Sequence, residues 1–252
     1  HTVELVRKRP FRNPHHSISK AGLIGGGIIP KPGEISMAHR GVLFLDEFSQ
    51  FPGSIIEDLR QPLENKEITI SRCSLFCRFP CSFMLVVATN PCNCGYNGDD
   101  RKHCRCSLTD LERYWKNISG PIIDRIDMRI NVPRLKNEDM ACVSSFIPEQ
   151  EKSESIRKKV SACHEIQHKR YYKTGMNFNS EADFRFVNQW IKEGEKIRQV
   201  IPEISEKFNF SARAISSLLK VSRTIADMEN SQEISTRHLM EALNYRINFN
   251  YG

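Results

Sequence analysis

The stretch Gly41-Val42-Leu43-Phe44-Leu45-Asp46-Glu47 decides how this chain is read. Four consecutive apolar residues stand between a glycine and two carboxylates. Such a run matches a strand buried on both faces, as in a parallel α/β sheet. A second run, Phe83-Met84-Leu85-Val86-Val87-Ala88, has the same character and ends on Thr89-Asn90. In open α/β sheets, ligands bind just beyond the carboxyl ends of the strands. Polar side chains placed there lose hydration unless they find a partner or a task. The adjacent acids Asp46 and Glu47 suit Mg²⁺-assisted phosphate chemistry. One carboxylate holds the metal through its water shell, because Mg²⁺ keeps several waters, and the other orients an attacking water. Each residue taken singly also fits a turn: acids after an apolar strand often cap the next helix, and Asn90 precedes a proline.

Outward from this stretch, a helix is predicted from about Pro52, with Ile55, Ile56, Leu59 and Leu63 on one face. A β-hairpin is predicted over residues 68–83. Residues 1–40 are rich in Gly, Pro, Arg and His, and the Gly22 to Gly33 region reads as loops or a hairpin. No Gly, four residues, then Gly-Lys-Ser/Thr string occurs among the 252 residues, so a phosphate-binding loop of that kind is missing from this sequence. The chain starts at His1, not Met, which fits a piece of a longer polypeptide. Beyond residue 150 the pattern is helical, with helices predicted over 153–172, 181–194, 201–208, 212–229 and 236–245. Ser211 and Ser235 stand at cap positions. The expected organisation is an α/β core over 1–134 with a Cys-rich loop at 91–107, a linker over 135–150, and an all-helical lid over 151–252.

Composition sets outer bounds. Hydrophobic residues make up 39% and charged residues 27%, as in a soluble globular protein. No stretch approaches the run of about 18 apolar residues that a membrane helix needs. The net charge of +7 suits an anionic partner such as nucleic acid or nucleotide, without requiring one. The nine cysteines form an odd total with no secretion signal, which points to the reducing cytoplasm rather than a disulfide scaffold.

Four of those cysteines lie close together as Cys92-x-Cys94, nine residues, then Cys104-x-Cys106. Four thiolates make a closed tetrahedral site that selects Zn²⁺ over hard cations, although Cys-x-Cys is tighter than the usual spacing of two to four residues. Gly95, Asn97 and Gly98 let the chain turn back, Lys102 and Arg105 offset the thiolate charge, and His103 is a possible substitute ligand. The alternative is four free thiols in a polar loop. So few apolar residues give that loop little other means of holding a shape, which favours a structural metal. Cys73, Cys77, Cys81, Cys142 and Cys163 read as small core or hairpin residues. His15 and His16, adjacent in a Pro-bounded loop, read as makers of backbone hydrogen bonds.

Several ordered strings resemble one family. Residues 41–47 look like a Walker B strand of an AAA+ ATPase. Arg9-Pro10-Phe11-Arg12-Asn13-Pro14-His15-His16, the segments 32–40 and 90–95, and Ser119-Gly120-Pro121-Ile122-Ile123-Asp124-Arg125-Ile126-Asp127 resemble the ComM/YifB family of magnesium chelatase-like competence proteins. The resemblance runs from about residue 9 to about 248. It implies a P-loop-type core with a helical lid, in the clade of AAA+ ATPases with an insert before the Walker B strand. It implies Asp46 as the Mg²⁺ residue, Glu47 as the catalytic glutamate, Asn90 as sensor 1, Arg125 as an arginine finger directed at a neighbouring subunit, and Arg213 as sensor 2. It further implies ATP with Mg²⁺, a homo-oligomer, commonly a hexameric ring, and DNA as partner. Residues 68–83 resemble a pore hairpin, with Arg72 and Arg78 as phosphate contacts, against the alternative of ordinary solvated arginines.

Three functions follow as expectations. The first is a DNA-directed ATPase motor, a helicase or branch-migration factor in natural transformation or recombination. The second is the motor subunit of a metal chelatase. The third is a non-catalytic, zinc-stabilised DNA-binding or interaction module. Without the backbone amides and lysine of a phosphate loop, the chain alone is expected to bind ATP poorly and to be inactive.

Overall fold

The computed structural model describes residues 8–133 and 151–247, apart from 73, 74, 117 and 119, with backbone only at 72 and 75. The expected linker over 135–150, together with Cys73 and Cys142, lies outside the described residues. The chain divides into two compact units between Ile126 and Asp127. In chain order the first unit runs β1 (Phe11–Arg12), α1 (Lys20–Ile24), β2 (Gly25–Gly26), β3 (Lys31–Pro32), α2 (Glu34–Met37), β4 (Val42–Leu45), α3 (Gly53–Asp58), α4 (Arg60–Asn65), β5 (Glu67–Arg72), β6 (Leu75–Pro80), β7 (Met84–Val87), α5 (Leu108–Lys116) and α6 (Gly120–Ile123).

The two apolar runs become neighbouring parallel strands. The sheet order is β1-β4-β7, with Val42 opposite Met84 and Leu45 opposite Val87. Gly41 is required at the entry to β4, because a Cβ there would lie 1.9 Å from the Pro10 carbonyl oxygen. The next residues fix the register: the Arg40 amide donates to the Ser82 carbonyl at 2.6 Å, and the Ser82 amide donates to His39 Nδ1 at 3.1 Å. Burial, and then the nearby Arg40 charge, hold the His39 pKa below its ordinary value, which preserves that acceptor nitrogen.

The strands are not buried on both faces, as their sequence suggests. Leu43, Leu45, Leu85 and Val87 join one core with Ile55, Ile56, Leu59 and Ile122. On the other face Phe11 is 63% exposed, Met84 64% and Val86 39%. An apolar run records that a strand is built for two covered faces, not whether the same chain supplies both covers.

The helix predicted from Pro52 is two short helices, α3 and α4, that meet at Leu59. Pro62 explains the break, since it has no N–H to continue the helical ladder back to Asp58. The predicted face is nevertheless correct: Ile55, Ile56 and Leu59 are buried and Leu63 packs beside them. The predicted hairpin is β5 paired with β6, with Thr69 opposite Arg78 and Arg72 opposite Leu75. Ile68 and Ile70 are buried in the core, whereas Thr69, Phe76 and Arg78 are exposed. The Gly-rich region holds the small ribbon β2–β3 and a helix the sequence reading did not predict, α1, capped by Ser19 accepting from the Gly22 amide at 3.1 Å.

The second unit contains α7 (Ser153–Arg170), α8 (Phe184–Glu193), α9 (Glu195–Phe208), α10 (Ala212–Met228) and α11 (Thr236–Ile247). The segment 127–133 belongs to this unit rather than to the core. There the Arg129 amide donates to the Tyr245 carbonyl at 2.7 Å, and Ser217 donates to Asp127. Tyr171, Val187, Trp190, Ile197, Leu218, Leu219, Leu239 and Leu243 form its core.

A polar knot sits inside that helical core. Asp227, near the end of α10, accepts from Arg170, from Arg223 Nε at 3.0 Å and from Asn179 Nδ2 at 2.8 Å. Arg223 also donates to the carbonyls of Gln232 and Ser231, while Tyr171 donates to Asn179 Oδ1 at 2.9 Å. The acid is 2% exposed and Arg223 3%, so both charges depend on each other for compensation.

Candidate nucleotide and metal sites

Parallel pairing sends the ends of β4 and β7 to the same edge of the sheet. The ladder continues past the strands: the Ala88 amide donates to the Leu45 carbonyl at 3.0 Å, and the Phe48 amide donates to the Ala88 carbonyl at 2.9 Å. Asp46 and Glu47 are therefore bracketed against Ala88, and Thr89 and Asn90 follow at once. Asp46, Glu47 and Asn90 are all exposed.

Two features shape the acid pair. Asp46 Oδ1 accepts from the Glu47 amide at 2.8 Å. Glu47 itself adopts the left-handed region, with φ 50° and ψ 44°, and starts a 3-10 turn over Phe48–Gln50. A non-glycine residue there carries strain, which surrounding structure must hold in place. His16 Nδ1 lies 3.1 Å from Glu47 Oε2, and the His16 ring packs tilted at 35° against His15, with centroids 4.0 Å apart. Backbone partners are expected for both histidines from their Pro-bounded loop. His15 Nδ1 does meet the Ser17 amide at 3.3 Å, but His16 faces the glutamate.

Tyr114 was not singled out from the sequence. Its buried hydroxyl accepts from Ser49 Oγ at 2.7 Å, donates to the Asn90 carbonyl at 2.8 Å and lies 3.1 Å from Thr89 Oγ1. Nothing in the local spacing of residues 49, 89 and 114 announces that contact.

The basic residues are distributed as follows. Arg125 follows α6 and donates to Glu64 and to the Pro121 carbonyl, with its side chain only 8% exposed and its Nε buried without a hydrogen bond. Arg213 is exposed in the first turn of α10, behind the Ser211 cap that accepts from the Ala214 amide at 3.2 Å. Arg78 is exposed, with its guanidinium 5.5 Å from the centre of the Phe76 ring. Arg72 closes β5 beside the hairpin turn, and its side chain lies outside the described residues.

The four cysteines of the 91–107 loop converge. Cys92 and Cys94 sulfurs lie 3.3 Å apart, Cys94 and Cys104 3.5 Å, and Cys92 and Cys104 3.8 Å. All four sulfurs, Cys106 included, lie within 4.8 Å of one another. A tetrahedron with metal–sulfur bonds of about 2.3 Å has edges of about 3.8 Å, so the donor set fits one tetrahedral ion. His103 is exposed and outside the cluster. Backbone amides of Arg105 and Tyr96 pull the Cys94 thiol down to about 6, the behaviour of a ready thiolate. A Cys106 amide acts in the same direction on Cys104, but burial and the Cys94 and Cys92 sulfurs outweigh it and push that thiol up to about 12. Gly95 and Gly98, at φ 79° and 81°, supply the left-handed turns. Asp99 Oδ1 accepts the Arg101 and Lys102 amides at 2.8 and 3.0 Å. Away from this loop, burial pushes the Cys81 thiol up to about 11 and raises that of Cys163, as expected of core residues.

Residues 1–140 match the family model for magnesium chelatase, subunit ChlI, and residues 150–246 match that for the ChlI C-terminal domain. The chain is 43% identical over 241 residues to competence protein ComM of Haemophilus influenzae, covering 95% of this chain and 45% of that protein. The chain belongs to the ComM/YifB family. It is also 39% identical over 241 residues to the uncharacterized protein YifB of Escherichia coli, covering 95% of this chain and 46% of that one. A more distant likeness, 22% over 216 residues, reaches the maternal DNA replication licensing factor mcm6 of Xenopus tropicalis, covering 83% of this chain and 25% of that protein. The chain thus spans about half the length of its ComM and YifB relatives. Membership of this magnesium chelatase-like branch of the AAA+ proteins agrees with a parallel sheet followed by a helical unit. Among the described residues no helix is long and apolar enough to cross a membrane.

Proposed function

We propose that this chain carries the water-activating half of an ATP-hydrolysing site in an oligomeric, DNA-directed motor. The observation that carries the reading is the shared sheet edge, where the Ala88 amide and carbonyl bond on either side of Asp46 and Glu47. At that edge Asp46 would hold Mg²⁺ through its water shell, supplying charge neutralisation for the phosphates. Glu47 polarises the attacking water and Asn90 orients it against the γ-phosphate. Arg125 serves a neighbouring subunit's site once docking releases it from Glu64, and Arg213 acts from the lid. A phosphate cradle of backbone amides, which no Gly-x4-Gly-Lys-Ser/Thr string among these residues spells, would complete the site. The exposed face of the β5–β6 hairpin, with Phe76 and Arg78, meets single-stranded or branched DNA, consistent with the likeness to a DNA replication licensing factor. A structural Zn²⁺ on Cys92, Cys94, Cys104 and Cys106 gives the loop its shape.

The test is Glu47→Gln in the full-length protein. Nucleotide affinity is expected to persist while hydrolysis falls by a factor on the order of a hundred or more, the scale of losing a general base. Native-like turnover in that variant would overturn the proposal. The family models' chelatase description keeps one second reading open, a chelatase motor subunit. Hydrolysis that responds to a porphyrin-binding partner and not to DNA would favour it.

A further inference from the structure

We propose that Tyr114 is a positioning residue through which the metal state of the cysteine loop sets the geometry of the Asp46–Asn90 sheet edge. A tyrosine hydroxyl offers one hydrogen and two lone pairs. At Tyr114 they are fully engaged when the hydrogen goes to the Asn90 carbonyl and the lone pairs take Ser49 Oγ and Thr89 Oγ1. Ser49 belongs to the turn that begins at Glu47, and Thr89-Asn90 is the exit of β7. One buried oxygen therefore ties together the two chain segments that emerge beside the acids.

The same oxygen is linked to the metal loop on both sides, through the chain by way of α5 and through its hydrogen bond to Asn90. Cys92 lies two residues after Asn90, and Cys106 two residues before Leu108, where α5 begins. That helix starts on a reciprocal cap: the Asp110 amide donates to Ser107 Oγ at 3.2 Å, while the Ser107 hydroxyl and amide donate to Asp110 Oδ2 at 2.7 and 3.1 Å. The cap follows Cys106 directly, and α5 then carries Tyr114 back to the sheet edge, its ring packed edge-on against Trp115 at 5.5 Å. The Asn90–Tyr114 hydrogen bond closes a ring of chain whose interior holds all four cysteines. Residues 95–103 add mainly turns and the Lys102–Tyr96 contact at 2.9 Å, so ligation is the main constraint on where the two arms of the ring begin. Release of the metal frees the start of α5, slackens Tyr114, and lets the Asn90 carbonyl and the Ser49 turn drift.

The consequence for hydrolysis rests on the function proposed above, but the coupling itself does not, and it is read in this chain alone. Hydrogen exchange would be followed on zinc-loaded protein and on protein stripped with a chelator. Stripping should speed exchange of the Phe48 and Ala88 amides on the order of tenfold, the scale of losing a pair of buried hydrogen bonds, and leave mid-strand β4 and β7 amides unchanged. Tyr114→Phe with zinc still bound should show the same rise, with little further change on stripping. Ser49→Ala approaches the oxygen from the opposite side without touching α5, and should give a smaller rise at full zinc content, which covers the case of a Tyr114→Phe chain that folds poorly. In the full-length protein Tyr114→Phe should lower kcat with KM unchanged. Phe48 and Ala88 exchange that ignores both zinc removal and the substitutions would overturn the coupling. Failure of Glu47→Gln to stop hydrolysis would instead sink the water-activating role proposed for this sheet edge and leave the exchange result standing.

Discussion

Replacing Asp227 by Asn tests whether the polar knot of the helical unit is structural. The substitution keeps the size, removes the charge, and turns an amide nitrogen toward guanidinium groups that need an acceptor. Arg223, 3% exposed, then keeps only the Gln232 and Ser231 carbonyls and whatever acceptor the new amide offers. Removing one partner of a buried ion pair costs about 3–5 kcal/mol, because the surviving charge is left without compensation. In a unit spanning Asp127–Asn250 each kcal/mol lowers Tm by about 4 °C, so the loss should be about 12 °C or more. The assay can be confined to the right unit. The chain has two tryptophans, Trp115 on α5 and Trp190 on α8. In a Trp115→Phe background the emission comes from Trp190, 6% exposed in the helical core, and its thermal shift reports that unit alone. A midpoint unmoved by Asp227→Asn would mean that the buried arginines do not depend on this carboxylate. The result also bears on function, since Asp227 anchors the far end of the helix whose first turn bears Arg213.

Three further outcomes are expected. Cys104→Ser should abolish metal uptake, measured by elemental analysis as about one ion per native chain, whereas His103→Ala should keep it; a native chain that binds no metal would remove the site altogether. In the full-length protein Arg78→Ala should weaken single-stranded DNA binding and reduce the slope of log affinity against log salt by about 0.7, the share of one phosphate contact; anisotropy titrations at several salt concentrations give the slope, and an unchanged value argues against contact. Glu229 is held below the ordinary 4.5 of a glutamate by its hydrogen bond from His238 and then by Arg237. A depressed carboxylate contributes stability that is complete above the unfolded pKa and vanishes as pH falls through the folded one. Glu229→Gln should therefore flatten the acid side of the Trp190 melting profile below about pH 4.5, and an identical profile would contradict the assignment.

How far the sequence carried this reading depends on how local each signal is. Val42–Leu45 and the run ending at Val87 announced themselves as strands because apolar continuity is written in adjacent residues. The converging thiols were legible from spacing and from the scarcity of apolar residues around them. Ser211 and Ser235 marked helix starts correctly, with Ser211 capping the Ala214 amide and Ser235 Oγ the His238 amide. Pro62 carried the signal for the break at Leu59, but the continuous apolar face masked it. The Tyr114 hydroxyl and the Asp227 knot stayed hidden for a different reason. Most of their partners lie tens of residues away, at 49, 89 and 90 for Tyr114 and at 170 and 179 for Asp227, and no periodicity links such positions; only Arg223, one helical turn before Asp227, stands at a readable spacing. The division at Ile126 was missed likewise, since only long-range pairing of Asp127 and Arg129 with α10 and α11 assigns that stretch to the helices.

The uncovered side of the β1–β4–β7 sheet has a practical consequence for handling this polypeptide. Phe11, Met84 and Val86 make an oily surface on a molecule whose charge of +7 otherwise keeps neighbours apart. Added salt shortens the reach of that repulsion and does nothing to weaken apolar adhesion. The isolated chain should therefore be most soluble at low ionic strength and should clump as salt is raised, the reverse of a protein whose copies stick by opposite charges.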